Sequence, residues 1–356
     1  FLIRFAFLLA VGASLFAGGS TETRQSGSRT ASSAESAATG TVRPDGFPRT
    51  VIDDLGERVA IPAKPMRIVS GTLMADEILL SLLPTGAVAA VTNFAQDPEI
   101  SNVAELAVRV PHASALNVEL YLSLEPDLVV LAHWSDAAAI AALRGAGVPV
   151  YRIGAPSTFE EVRRSITGLA AAIGEETGAE ALIARMDGIL ADVKARTASL
   201  APDERLTVMD YSTWGTAMGR SSSWDEIVTG AGLVNAAGTL AADEWGSVPV
   251  SKELLLELDP DILVLPGWVY GDPSGADTHL ASVLNDPALK GMTAIRTGKV
   301  IRIPEAHRSS TSHFMALAVE DLARVAGVPG VPVPRREEPG VRRRVVRPDL
   351  QDGVHD

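Results

Sequence analysis

Aromatic side chains that follow apolar runs are the residues of this sequence best suited to chemistry: Trp134, Tyr211, Trp214, Trp245, Trp268 and Tyr270. Flat apolar rings with one polar handle fit a planar macrocycle or a catecholate ring better than a bare ion. Arg220 and Arg308 accompany them, and the planar fork of a guanidinium pairs with carboxylates or with the negative oxygens of a metal chelate. His133, His307 and His313 are candidate axial ligands, and Tyr211 and Tyr270 candidate phenolate ligands, yet no pair has diagnostic ligand spacing and the six His are scattered. The sequence has no Cys, which removes thiolate metal sites, thiol catalysis and disulfides. It also lacks a Gly-x-Ser-x-Gly elbow, a His-Glu-x-x-His helix and a Gly-rich phosphate fingerprint. The residues therefore read as those of a binder, with no catalytic set, no resident metal and no cofactor.

A unit that occurs twice positions two of these rings. The stretch Glu119–Trp134 recurs without a gap as Glu253–Trp268, 134 residues further on. Each copy reads as a short helix stopped by Pro126 or Pro260, then an apolar run of strand length, then a Trp where the strand ends. Ligands of open α/β sheets bind beyond the carboxyl ends of the strands, so Trp134 and Trp268 are expected to face one site. Other strand ends supply the remaining cleft loops, namely Ser70–Thr72, Thr92–Phe94, Tyr211–Arg220, Trp245–Gly246 and Glu305–Ser310. The candidate ligand-contacting set is Ser70, Thr72, Asn93, Trp134, Tyr211, Trp214, Arg220, Trp245, Trp268, Tyr270, His307 and Arg308. Trp224, at a helix start, reads as packing.

Around the repeat, Thr50–Pro62 alternates about an Asp-Leu-Gly turn as a hairpin, and strands alternate with helices as in parallel βαβ units. Residues 159–200 are helical in pattern with breaks near Gly174 and Gly178, and the piece Glu176–Ala198 carries Leu182, Ile183, Met186, Ile189, Leu190 and Val193 on one stripe. At about 1.5 Å per residue it is roughly 35 Å long, enough to bridge two lobes. The expected fold is α/β, with two Rossmann-like lobes bearing parallel sheets, at 48–157 and 201–328, joined by one long interlobe helix within 158–200. The flanks read as a signal peptide at 1–19, a Ser- and Gly-rich tether at 20–47 and a disordered tail at 329–356. Leu15–Gly19 looks like a lipoprotein cleavage box in which Gly19 stands where the lipid-bearing Cys should be, which leaves a lipid anchor doubtful. The formal net charge of -13 argues against nucleic acid and favours a soluble monomer.

The hairpin, the Lys64-Pro-Met-Arg-Ile-Val-Ser70 entry, Glu77 on the first helix, Asn117-Val-Glu119, Leu124–Val130, the long helix and Val250-Ser-Lys-Glu253 follow one another in an order that resembles the periplasmic binding proteins for ferric siderophores and vitamin B12. The resemblance covers about residues 48–328. It implies two lobes that move little on binding and an iron chelate, haem or corrinoid held in the cleft, for delivery to an ABC importer outside the cytoplasm. It also implies that Glu119 and Glu253, matched motif by motif, dock on Arg pockets of a permease dimer. Two rivals carry the same frame: a binding protein for a bare metal ion or oxyanion, and a ligand sensor that does not transport.

Overall fold

The computed structural model describes residues 46–328. The expected signal peptide, the tail at 329–356 and all of the tether but its last two residues lie outside the described residues. The tether reading is corrected at its end, because Phe47 is fully buried and the Arg49 guanidinium lies 4.0 Å from its ring centroid. Strands β1 (Arg49–Ile52) and β2 (Arg58–Ile61) form the expected hairpin, with Val51 paired to Val59.

The first lobe is built on five parallel strands: β3 (Ile68–Ser70), β4 (Val88–Val91), β5 (His112–Ala113), β6 (Leu128–Ala132) and β7 (Val150–Ile153), in the order β5-β4-β3-β6-β7. Helices α1 (Leu73–Leu82), α2 (Ala104–Ala107), α3 (Val118–Ser123) and α4 (Ala137–Gly145) fill the crossovers. The interior strand β6 is buried at every residue, as a parallel strand covered on both faces must be. Successive side chains alternate between faces, so Leu128 and Val130 enter one core while Val129 and Leu131 enter another.

Two helices follow. α5 (Phe159–Ile173) opens with a capping box between Thr158 and Glu161 and ends at Gly174, whose φ of 72° is left-handed. α6 (Glu176–Thr197) is the long helix, 22 residues and hence about 33 Å. Its Ala179, Leu182, Met186 and Val193 are buried in the core that also holds Leu128 and Val130 of the first sheet and Val208, Ile262 and Val264 of the second. One apolar core thus runs through the helices into both sheets.

The second lobe has strands β8 (Thr207–Asp210), β9 (Thr216–Met218), β10 (Val234–Asn235), β11 (Ser247–Pro249), β12 (Ile262–Val264) and β13 (Val300–Ile301). Its helices are α7 (Ser223–Gly230), α8 (Lys252–Leu258), α9 (Gly275–Asn285), α10 (Thr293–Arg296), α11 (Glu305–Arg308) and α12 (Met315–Val325). The parallel sheet runs β10-β8-β12-β13, and β9 pairs with β11 as a separate antiparallel ribbon that the sequence reading did not anticipate.

The internal repeat holds at the level of backbone and anchors. Asn117 caps α3 by accepting from the Leu120 N–H, and Ser251 caps α8 by accepting from the Leu254 N–H. Both helices end at a left-handed residue before the proline, Glu125 at φ 49° and Asp259 at φ 36°. Two residues later, the Asp127 carboxylate accepts from the N–H groups of Met66 and Arg67, and that of Asp261 accepts from the N–H and hydroxyl of Thr207. Each lobe therefore ties the start of β6 or β12 to the segment that leads into its neighbouring strand with the same carboxylate.

Candidate functional site

The strands deliver three aromatic rings to one line. Phe94 follows β4 in the first lobe, whereas Trp268 and Tyr270 follow β12 in the second. The Phe94 and Tyr270 centroids are 6.0 Å apart at an interplanar angle of 57°, and those of Tyr270 and Trp268 are 5.9 Å apart at 63°. These are tilted and edge-on arrangements, favoured by the ring quadrupole. The line spans the two lobes with its rings only partly covered, since Tyr270 is 76% exposed and Phe94 43%. Water-exposed aromatic area at strand carboxyl ends is a surface that a flat apolar ligand can cover.

The loops that carry these rings are held by buried carboxylates. Asp76, on α1, accepts from the Thr92 hydroxyl at 2.5 Å and from the Thr92 N–H, two residues before Phe94. Glu305, on α11, accepts from the Gly267 N–H at 2.9 Å, immediately before Trp268. Burial alone would raise the Glu305 carboxyl, but Arg308, the Ser309 hydroxyl and the Gly267 N–H hold it below its ordinary range. Glu305 was expected only as the start of a cleft loop and Asp76 not at all, because an isolated acid in a helix gives no signal of which loop it will meet.

Desolvation pushes Asp76 up to about 7, against the pull of Thr92 and Ser70. Since the folded value lies above the ordinary 3.8, the folded state keeps a proton that the unfolded chain releases. This contribution is full below about pH 4 and is lost as pH rises to about 7. Asp76→Asn is expected to abolish it, so the variant gains on the native protein by about 1.4 kcal/mol per pH unit across that window, and by nothing further above it. Urea unfolding of both proteins from pH 4.5 to 8 measures this, and a pH-independent gap would contradict it.

The remaining expected contacts divide by location. Trp134, 59% exposed, follows β6 and stands edge-on to His133 at 4.6 Å. Asn93 is exposed beside Phe94, and Thr72 is half-buried at the start of α1 with no side-chain cap bond. Tyr211 is half-buried, with its ring 5.6 Å from that of His279 and its carbonyl 3.1 Å from His279 Nε2. Trp214 and Trp245 are exposed at opposite ends of the β9–β11 ribbon, Trp214 in the turn whose Gly215 carbonyl accepts from the Val250 N–H near α8. Arg220 is exposed, its Nε donating to the Gly238 carbonyl. Trp224 is buried, as expected of a packing residue.

Three expected contacts are corrected. Ser70 is fully buried, and its hydroxyl donates to the Thr72 carbonyl, so it stabilises the turn into α1 instead of facing a ligand. His307 Nδ1 lies 2.5 Å from Asp321, a carboxylate that also pairs with Arg324, which engages the ring within the fold. Arg308 bonds Glu305 at 2.9 Å and stands 3.8 Å from Asp210. Burial opposes its charge, yet these two carboxylates outweigh it and hold the guanidinium above its usual range. An arginine so engaged braces α11 against β8 and is not a free anion receptor. Among the described residues, no three His, Asp or Glu side chains converge on a possible metal position.

Glu119 and Glu253 are both exposed in the first turn of their helices, at repeat-equivalent positions. A carboxylate there is favoured by the helix dipole. Backbone and Ser251 hydrogen bonds keep Glu253 below the usual carboxylate range. No helix among the described residues is long and apolar enough to cross a membrane.

Comparison with known proteins agrees with this architecture. An uncharacterized ABC transporter substrate-binding lipoprotein, YvrC of Bacillus subtilis, is 31% identical over 228 residues, covering 61% of this chain and 69% of its own. A cobalamin-binding protein of Halobacterium salinarum is 27% identical over 289 residues, 80% of this chain and 74% of its own. Among solved structures, the molybdate-bound periplasmic protein MolA of Haemophilus influenzae superposes with a TM-score of 0.66 at 18% identity, over 78% of this chain and 91% of that one, a likeness of fold. The family described as periplasmic binding protein matches residues 68–307, which include both sheets, the long helix and the aromatic line, and this chain belongs to that family.

Proposed function

We propose that this protein captures an iron chelate, haem or corrinoid in the cleft between its lobes and delivers it to an ABC importer, acting as a binder and not as an enzyme. The observation that carries the reading is the ring contact between Phe94 and Tyr270, continued by Trp268, which sets flat apolar area on both sides of the cleft. The similarity to a cobalamin-binding protein over most of the chain supports a large ligand. The exposed, repeat-related Glu119 and Glu253 support docking on a permease with two matched halves. The signal-peptide pattern of residues 1–19 supports export and capture outside the cytoplasm.

Titration with cyanocobalamin, haemin, a ferric trihydroxamate and molybdate, read by tryptophan fluorescence and calorimetry, tests the ligand class. Saturable one-to-one binding of one of the first three is expected, with no response to molybdate. Binding of molybdate alone would overturn the reading in favour of an oxyanion site.

A further inference from the structure

Besides α6 and the shared apolar core, a polar network centred on one buried carboxylate ties the first lobe to the second. Glu77, on α1, is fully buried and accepts four hydrogen bonds. Its Oε1 takes the N–H and the side-chain amide of Asn102, at 3.3 and 2.7 Å. Its Oε2 takes the hydroxyls of Ser310 and Ser312, at 2.8 and 2.7 Å, from the segment between α11 and α12 more than 230 residues away. The Asn102 amide also donates to the Ala306 carbonyl of α11 at 2.7 Å. One turn further along α1, Ser81 Oγ lies 3.4 Å from Nε2 of His313, so positions i and i+4 meet the same segment.

This network reaches the aromatic line from both sides. Asn102 closes the segment that Thr92 opens, and that segment bears Phe94; Ala306 lies beside Glu305, which holds the loop of Trp268 and Tyr270 through the Gly267 N–H. A buried carboxylate whose donors come from both lobes cannot lose either set without leaving one of its oxygens without a partner, a larger penalty than the loss of a surface pair.

We propose that Glu77 is a positioning residue, a latch that fixes the spacing of the lobes so that Phe94 and Tyr270 stand ready on the two sides of the cleft before ligand arrives. The ligand-capture part of this inference rests on the cleft reading above; the spacing part does not. Gln fits the latch better than an apolar residue, because its oxygen can accept from Asn102 while its amide donates to the two serine hydroxyls, which have free acceptor capacity.

The sequence contains no Cys, so two engineered cysteines give a unique label pair. Ala141→Cys on α4 and Thr278→Cys on α9, both exposed, carry spin labels on separate lobes, and their distance distribution is measured without ligand. One narrow distance is expected for the native latch and for Glu77→Gln. A distribution at least about twofold wider is expected for Glu77→Leu and for the double change Ser310→Ala/Ser312→Ala. The serine pair removes two hydroxyls only and carries the test if Glu77→Leu does not fold. If the open latch leaves a tenth of molecules at the native spacing, cyanocobalamin binding weakens about tenfold. An unchanged, narrow distribution in the folded serine variant would overturn the latch, whatever ligand the cleft takes. A protein that fails to bind cyanocobalamin, yet widens when unlatched, would instead support the latch and count against the corrinoid.

Discussion

Reversing Glu119 and Glu253 together to Lys is expected to abolish ligand uptake in vesicles reconstituted with the cognate permease, while ligand affinity in solution stays unchanged. Both carboxylates are exposed on the first turns of repeat-related helices, and neither α3 nor α8 carries Phe94, Trp268 or Tyr270. An exposed carboxylate can form a charge-assisted pair with a partner's arginine, and reversal would replace such an attraction by repulsion, which costs several kcal/mol per site at a docked interface. The fold should bear the change, since a cation at a helix N-terminus costs only about 0.3 to 1 kcal/mol. The single reversals are expected to lie between native and double variant. Normal uptake by the double variant would reduce both residues to ordinary helix-start carboxylates, and a parallel loss of ligand binding would mean that the cleft has been misplaced.

The second large effect concerns the rings themselves. Tyr270→Ala and Phe94→Ala are each expected to weaken ligand binding by about 1 to 3 kcal/mol, roughly 5- to 200-fold, through lost burial and stacking. Because the two rings touch, their double variant should lose less than the sum of the single losses. Trp134→Ala should fall in the same range if the ligand reaches the end of β6. Trp214→Ala is expected to change affinity less than Tyr270→Ala, since its ring stands in the turn beside α8 and not on the aromatic line. Calorimetric titration of the variants checks this, and equal affinities throughout would reject the aromatic line as the contact surface.

Much of the fold was legible because the same local signals occur twice. A capped short helix, a proline after a left-handed residue, a buried strand and a terminal Trp mark both lobes, and the structure repeats even the aspartate that ties each strand to its neighbour. The position of Trp268 and Tyr270 just past a strand was legible for the same reason. What sequence could not reveal were partnerships formed over long distances. His307 and Arg308 looked available until Asp321 and Asp210 folded against them, and Ser70 looked like a loop residue until its turn was buried. Glu77 carried no chemical signal of its own, because its serine partners lie more than 230 residues away. The ribbon β9–β11 went unseen because three-residue strands are too short to display alternation.

The most direct test of the central claim is a crystal structure of the protein with its bound ligand. The account predicts that the ligand lies between the lobes, with a flat face within van der Waals distance of Tyr270 and Phe94 and with Trp268 at its edge. A ligand found on the outer face of either sheet, or along the β9–β11 ribbon without contact to Phe94 or Tyr270, would contradict it.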